Sequence, residues 1–468
     1  MTLYTEYKIA IGRMLPDGKY PVSFIRADQG ETELGEGLLN RTAVLPWALA
    51  AFSEQDGENL FNALFADDEM KRGWAKSLGE APAGRRIRLQ IERQAPELYS
   101  IPWELLREPA RTDSLTGNAI GLAHDLAASA TTPFSRFSNI GAPYQEPLRQ
   151  DSIRVLVAVA DPQNLHEYGS VDLNVAEEKS NLQTAFRDAS GIRVEVTFLP
   201  EPCTLSALEN ELRNGYHILH LLAHGALIAG TGETALLLAD RYNCVDVVRD
   251  TEFAAMLARH ISQTVMNSPH SLRLVFLANC YSGHQDVRDT FLGLAPKLVA
   301  EGTPAVVAMQ QGICISTARV FAATFYRNLF NHGVVDLAVN EARSSLITAR
   351  QAGVAIPVLH MRLRAGQLFQ RQAQLSPEPG KSHVGNNNID IVELGKLLRS
   401  EAFTYQDLTD TLAPNLGYRA GQLAGISVGQ LRFANALLEQ ARADDKLDQL
   451  VAEIQRMKPH LPSTLWQK

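Results

Sequence analysis

From Ile153 onward the chain repeats one pattern: a short, almost wholly apolar run, then an amphipathic stretch, then, in most cases, a glycine. The apolar runs are IRVLVAVA (153–160), IRVEVTFL (192–199), YHILHLLA (216–223), LRLVFLA (272–278), PAVVAMQ (304–310) and VAIPVLH (354–360). Helical spacing is predicted over 172–189, 204–214, 251–262, 287–301, 316–332 and 335–352. Five of these stretches stop at Gly191, Gly215, Gly302, Gly333 and Gly353, where a left-handed helix end costs least. Strands that are apolar on both faces need cover on both faces, and strands alternating with helices are joined in parallel. The expected fold class is therefore α/β, a mainly parallel sheet sandwiched by helices.

The chain of 468 residues, 45% hydrophobic and 21% charged, is long enough for about two to four domains. Residues 1–140 read as a mixed, β-rich region. Two β-prone runs flank a turn at Pro16–Gly18, NLFNALF (59–65) has helical period, and RRIRLQIER (85–93) alternates like a half-exposed strand. IPWELLREP (101–109) is a compact apolar turn. Residues 1–84 have two possible places: completion of the sheet, or a separate lobe. Residues 141–370 form the α/β core, and 371–388 a Pro-, Gly-, Ser- and Asn-rich linker. Residues 389–468 form a small all-α domain, with capping-box starts at Thr404/Asp407 and Ser427/Gln430.

A net charge of −8 argues against a general nucleic-acid binder. The longest apolar runs are of strand length, against the roughly 20 residues a membrane helix needs, so no membrane contact is expected. The amino terminus, MTLYTEYKIAIG, lacks a basic segment followed by an apolar one, and the expected location is cytoplasmic. Cys203, Cys244, Cys280 and Cys314 are far apart, and each reads first as a small buried hydrophobe, with no disulfide framework.

Ligands of an open parallel sheet bind beyond the carboxyl ends of its strands. His224-Gly225 follows the strand 216–223, and Asn279-Cys280-Tyr281-Ser282-Gly283 follows the strand 272–278. If those strands are neighbours, an imidazole and a thiol project from one edge. The imidazole would draw the thiol toward thiolate and later protonate a leaving amine. The amides of Gly225 and Cys280 would serve an oxyanion. Taken singly, His224 also reads as a plain strand end and Cys280 as core. His217 and His220 share the strand with His224. On a strand, however, 217 and 220 point to opposite faces, while 220 and 224 lie about 13 Å apart, so no metal site is expected and no cofactor is called for. No phosphate-binding loop and no serine elbow is present.

YHILHLLAHG and LRLVFLANCYSG resemble the histidine and cysteine motifs of CHAT-domain peptidases, which are caspase-like and related to separase. IPWELLREP resembles that family's "PWELL" segment, PAVVAMQQGICISTARVFAATFYRNLF the segment after the cysteine helix, and VVDLAVNEAR the helix that follows. The resemblance spans roughly residues 85–365. It implies a cysteine endopeptidase with His224 as general base and Cys280 as nucleophile, acting on a protein substrate. By the same likeness, Asp161, after the first core strand, would line the substrate pocket and favour Arg or Lys; the plain reading is a turn Asp before Pro162. Residues 389–462 resemble effector-associated, death-like adaptor domains, which implies recruitment by a partner bearing a matching domain. It also implies a setting in bacterial antiphage defence or regulated cell death, for example activation of a pore-forming effector. The alternative is a catalytically silent scaffold.

Overall fold

The computed structural model describes residues 4–28, 30–41, 53–81, 83–112, 119–137, 146–170, 173–187, 191–228, 233–261, 271–278, 280–281 and 293–370, with parts of 394–458. They fall into two compact units, Met1–Ser376 and Pro377–Lys468.

The first unit opens with strands β1 (Thr5–Ile11), β2 (Lys19–Arg26) and β3 (Thr32–Asn40). Gly18, at a φ of 81°, turns β1 into β2. Helices α1 (Glu54–Leu64) and α2 (Asp68–Glu80) follow, then β4 (Arg85–Ile91) and β5 (Phe134–Phe137). The core then runs β6 (Ser152–Val159), α3 (Val175–Arg187), β7 (Arg193–Phe198), α4 (Leu205–Leu212) and β8 (Ile218–Leu222). A three-stranded antiparallel hairpin sheet, β9 (His224–Leu227), β10 (Thr234–Ala239) and β11 (Val245–Arg249), leads into α5 (Asp250–His260). After it come β12 (Leu274–Ala278), β13 (Cys280–Tyr281), α6 (Leu294–Ala300), β14 (Ala305–Met309), β15 (Ile313–Cys314), α7 (Ile315–His332), α8 (Val335–Thr348) and β16 (Pro357–Met361).

Eleven strands make one sheet in the order β7-β6-β8-β12-β14-β16-β5-β4-β1-β2-β3. Seven of its ten neighbour pairs are parallel, so the sheet is mainly parallel, as the apolar strands predict. Of the two places open to residues 1–84, the described strands β1, β2 and β3 take the first and complete the sheet at one end, with β1 pairing in parallel with β4. The two faces of the core strands are packed separately. Val155, Val157, Ile218, Leu222 and Phe276 pack with α3, α7 and α8, and Leu156, Ala158, Leu219, Leu221 and Val275 pack with α4, α5 and α6. Helix α7 ends at Gly333, whose φ of 77° few side-chain-bearing residues would adopt.

The strand at 85–93 departs from expectation. Its alternating arginines predict one wet face, yet Arg85, Arg86 and Arg88 are all buried. Burying a guanidinium requires a partner carboxylate, and the fold supplies one from afar each time. Arg86 Nε donates to Asp336 Oδ2 at 2.6 Å, Arg88 Nη2 to Glu6 Oε1 at 3.0 Å, and Arg85 Nη2 to Glu108 Oε2 at 3.4 Å. The strand is internal, between β1 and β5.

In the second unit the described helical residues gather Leu394, Leu398, Phe403, Leu408, Leu412, Leu437, Leu450 and Ile454 into one core. The capping box at Thr404 forms in both directions: Thr404 N donates to Asp407 Oδ2 at 2.9 Å and Asp407 N to Thr404 Oγ1 at 3.1 Å. The linker 371–388 and the second box at Ser427/Gln430 lie outside the described residues.

Candidate active site

Strands β6, β8 and β12 are consecutive neighbours and run parallel, with Val159 opposite Leu222 and Leu222 opposite Ala278. Two residues beyond that matched trio in sequence stand Asp161, His224 and Cys280, so the three predicted site residues follow adjacent strands at one sheet edge. None is close to the next in sequence; strand order alone assembles them.

His224 opens β9 opposite Leu237 and is only 6% exposed. The hairpin also orients the amide of Gly225. Ile228 N donates to Glu233 O at 2.8 Å, and the register is unbroken from His224–Leu237 to Leu227–Thr234. Hydrogen-bonded pairs alternate along an antiparallel ladder. His224 and Ala226 therefore pair with β10, while the Gly225 N–H points away from it. The hairpin is anchored by a polar contact that no local sequence signal announces. Asp250, buried at the start of α5, accepts from Thr234 Oγ1 at 2.8 Å and from Lys297 Nζ at 2.6 Å. Lys297 belongs to α6, so this carboxylate ties the histidine's hairpin to the helix that follows the cysteine segment.

Cys280 lies in β13, paired in parallel with Ile313 of β15, and Tyr281 pairs with Cys314. The short pair joins the cysteine's backbone to the residues that lead into α7. Asn279 and 282–292 lie outside the described residues. Asp161 is half-buried, and its Oδ1 accepts from Leu173 N at 2.7 Å, which holds the carboxylate in place whichever role it has.

The neighbouring histidines are packing elements. His217 Nδ1 accepts from Arg154 N at 2.9 Å. His220 Nδ1 lies 2.8 Å from the Tyr326 hydroxyl, and its ring stacks 4.8 Å from that of Phe276. Burial lowers the His220 pKa to about 3, so the ring stays neutral. The cysteines do not behave alike. Cys203 is buried, and burial pushes its thiol up to about 12. Cys314 is exposed rather than buried, and hydrogen bonding to Ser316 lowers its thiol below the ordinary value.

The "PWELL" segment has a structural account. Trp103 is fully buried and donates through Nε1 to Leu98 O at 2.8 Å. Glu104 meets Arg136 of β5 in a two-pronged pair, Nε to Oε1 at 3.0 Å and Nη2 to Oε2 at 2.6 Å, and both residues are buried. The pair fastens the segment to the sheet beside β16, where Arg136 lies opposite His360.

Residues 54–375 match the CHAT domain. The chain belongs to the CHAT-domain family. Among solved structures this CHAT-domain chain is similar to a chain of the Saccharomyces cerevisiae separase–securin complex, with 10% identity and a TM-score of 0.40 over 77% of this chain and 30% of that one. It spans less than a third of that longer chain. It is also similar to gingipain R, an Arg-specific cysteine proteinase, with 11% identity and a TM-score of 0.37 over 64% of this chain and 67% of that one. No curated protein matches it. Among the described residues, no helix is long and apolar enough to cross a membrane.

Proposed function

We propose that this CHAT-domain chain is a cysteine endopeptidase with His224 as general base and Cys280 as nucleophile. The observation that carries the reading is the matched register of Val159, Leu222 and Ala278 on three adjacent parallel strands, each two residues before Asp161, His224 or Cys280. The match to the CHAT domain over residues 54–375 supports it. In the proposed reaction the His224 imidazole takes the Cys280 thiol proton, and the thiolate attacks a peptide carbonyl carbon. The Gly225 N–H, turned away from β10, and the Cys280 N–H donate to the oxyanion that forms. His224 returns its proton to the leaving amine, and water then hydrolyses the thioester to the carboxylic acid and the free thiol. Asp161 supplies the acid for a basic side chain on the acyl side of the cleaved bond. Residues 389–462 recruit a partner bearing a matching helical domain, and the cleaved protein acts in bacterial antiphage defence or cell death. These last roles are supported by the sequence resemblance alone.

The test is cleavage of a peptide library by the full chain beside Cys280→Ala and His224→Ala. Cleavage after Arg or Lys that both variants abolish sustains the dyad and the Asp161 role. Cleavage after other residues keeps the dyad and removes Asp161 as the specificity acid. Cleavage that survives Cys280→Ala refutes the reading. If none occurs even with partner proteins added, the scaffold reading replaces it.

A further inference from the structure

Helices α3 and α7 do not close over the sheet. Where they face each other, α3 carries Thr184 and Ala185, and α7 carries Ala318, Ala322 and Ala323. Such short side chains cannot fill the space between two helices and the sheet beneath. What remains is a cleft of about 370 Å³, floored by His220 and Leu222 of β8 and by Phe276 and Ala278 of β12. The cleft opens to solvent, and its volume is in the range where ligand pockets begin, about 300 Å³.

Its chemistry is specific. The floor and walls are mostly apolar. Asn181 also lines the cleft, and its side-chain nitrogen is buried without a hydrogen-bond partner. At the rim, Arg319 is taken up by Glu178, with Nε donating to Oε1 at 2.9 Å, and by Glu177. Arg327, also at the rim, is exposed and makes no ion pair among the described residues. Arg327 is therefore the rim cation left open to an anion.

We propose that this cleft binds a compact amphipathic ligand with an aromatic or branched aliphatic body and an anionic end. The body rests on Leu222, Phe276 and Ala278, and the anionic end meets Arg327. Leu222 and Ala278, in the floor of the cleft, each stand two residues before His224 and Cys280. Binding in the cleft does not rest on the peptidase reading.

The probe is 8-anilinonaphthalene-1-sulfonate, an aromatic body with a sulfonate, titrated into the full chain by fluorescence. One saturable site is expected. Arg327→Glu weakens it about tenfold, the scale of one well-placed charge contact. Ala322→Trp fills the cleft and abolishes it in a protein that still melts cooperatively. A second measurement does not depend on a bulky core substitution. The thiol introduced by Ala323→Cys is alkylated at least about fivefold more slowly with the dye bound, read by peptide mass spectrometry at that position. No saturable binding up to about 1 mM overturns the proposal. So does unchanged affinity in a folded Ala322→Trp protein, or an unprotected thiol in Ala323→Cys with the dye saturating. If Ala322→Trp does not fold, protection of the introduced thiol decides alone.

Discussion

Glu104→Ala isolates the buried pair that fastens the "PWELL" segment to the sheet. Glu104 and Arg136 are 4% and 1% exposed and share two charge-assisted contacts of 3.0 and 2.6 Å. Two further Arg136 donors reach Tyr99 O at 2.7 Å and Ile101 O at 2.9 Å, so the guanidinium cannot swing out to water without breaking the turn. Removing the carboxylate leaves a buried cation uncompensated, which costs about 3–5 kcal/mol. Nearby groups add to the cost: Arg343 is fully buried with its pKa already lowered to about 10, chiefly by burial, and Glu104 opposes that shift while Arg136 deepens it. For a first unit spanning Met1–Ser376, an unfolding entropy of ~2.1 cal/mol/K per residue turns ~4 kcal/mol into a fall in Tm of ~5 °C. The assay is thermal unfolding by near-ultraviolet circular dichroism, with urea unfolding for the free energy. A double variant, Glu104→Leu with Arg136→Met, should recover most of the loss, since a buried ion pair and an apolar pair of similar volume are often near-equivalent. A loss below about 1 kcal/mol for Glu104→Ala, at low and high salt alike, would refute the reasoning, because buried pairs are poorly screened and should not behave like surface ones.

Three more outcomes are expected. His220 is depressed in the fold to about 3, so the unfolded chain takes up a proton from about pH 6.5 downward while the folded chain does not until about pH 3. Stability therefore falls with pH across that window, and His220→Gln should flatten the slope by about 1.4 kcal/mol per pH unit between pH 6 and 4, measured by urea unfolding. Gly333→Ala puts a Cβ at a φ of 77° and 2.6 Å from Phe369 O. It should cost at least about 1–2 kcal/mol in the same measurement, whereas Gly79→Ala, in α2 with open space around it, should cost nothing. Iodoacetamide should modify Cys314 well before Cys203, and Ser316→Ala should slow Cys314 by raising its thiol pKa, both followed by peptide mass spectrometry.

Much of the first unit is legible locally. An apolar strand buried on both faces announces itself by composition, and a helix end by its glycine. The six core strands accordingly stand at 152–159, 193–198, 218–222, 274–278, 305–309 and 357–361, within a few residues of their predicted places. The strand at 85–91 was not legible in the same way. Its alternation describes the residues faithfully, but whether an arginine faces water depends on Glu6, Glu108 and Asp336, which are 82, 23 and 250 residues distant from their respective partners Arg88, Arg85 and Arg86. Cys314 reads as another buried thiol because nothing local distinguishes it from Cys203; its exposure follows from the turn that β15 makes into α7.

The sequence by itself determined the elements and the reactive side chains: apolarity and period depend on neighbours a few residues away. Strand order belongs to the tertiary structure, because pairing joins residues that sequence separates. Val159, Leu222 and Ala278 become level only when β6, β8 and β12 lie side by side in parallel. The same pairing brings Asp161, His224 and Cys280 to one edge. It also leaves, beneath them, a cleft that only the meeting of α3 and α7 over that sheet could create.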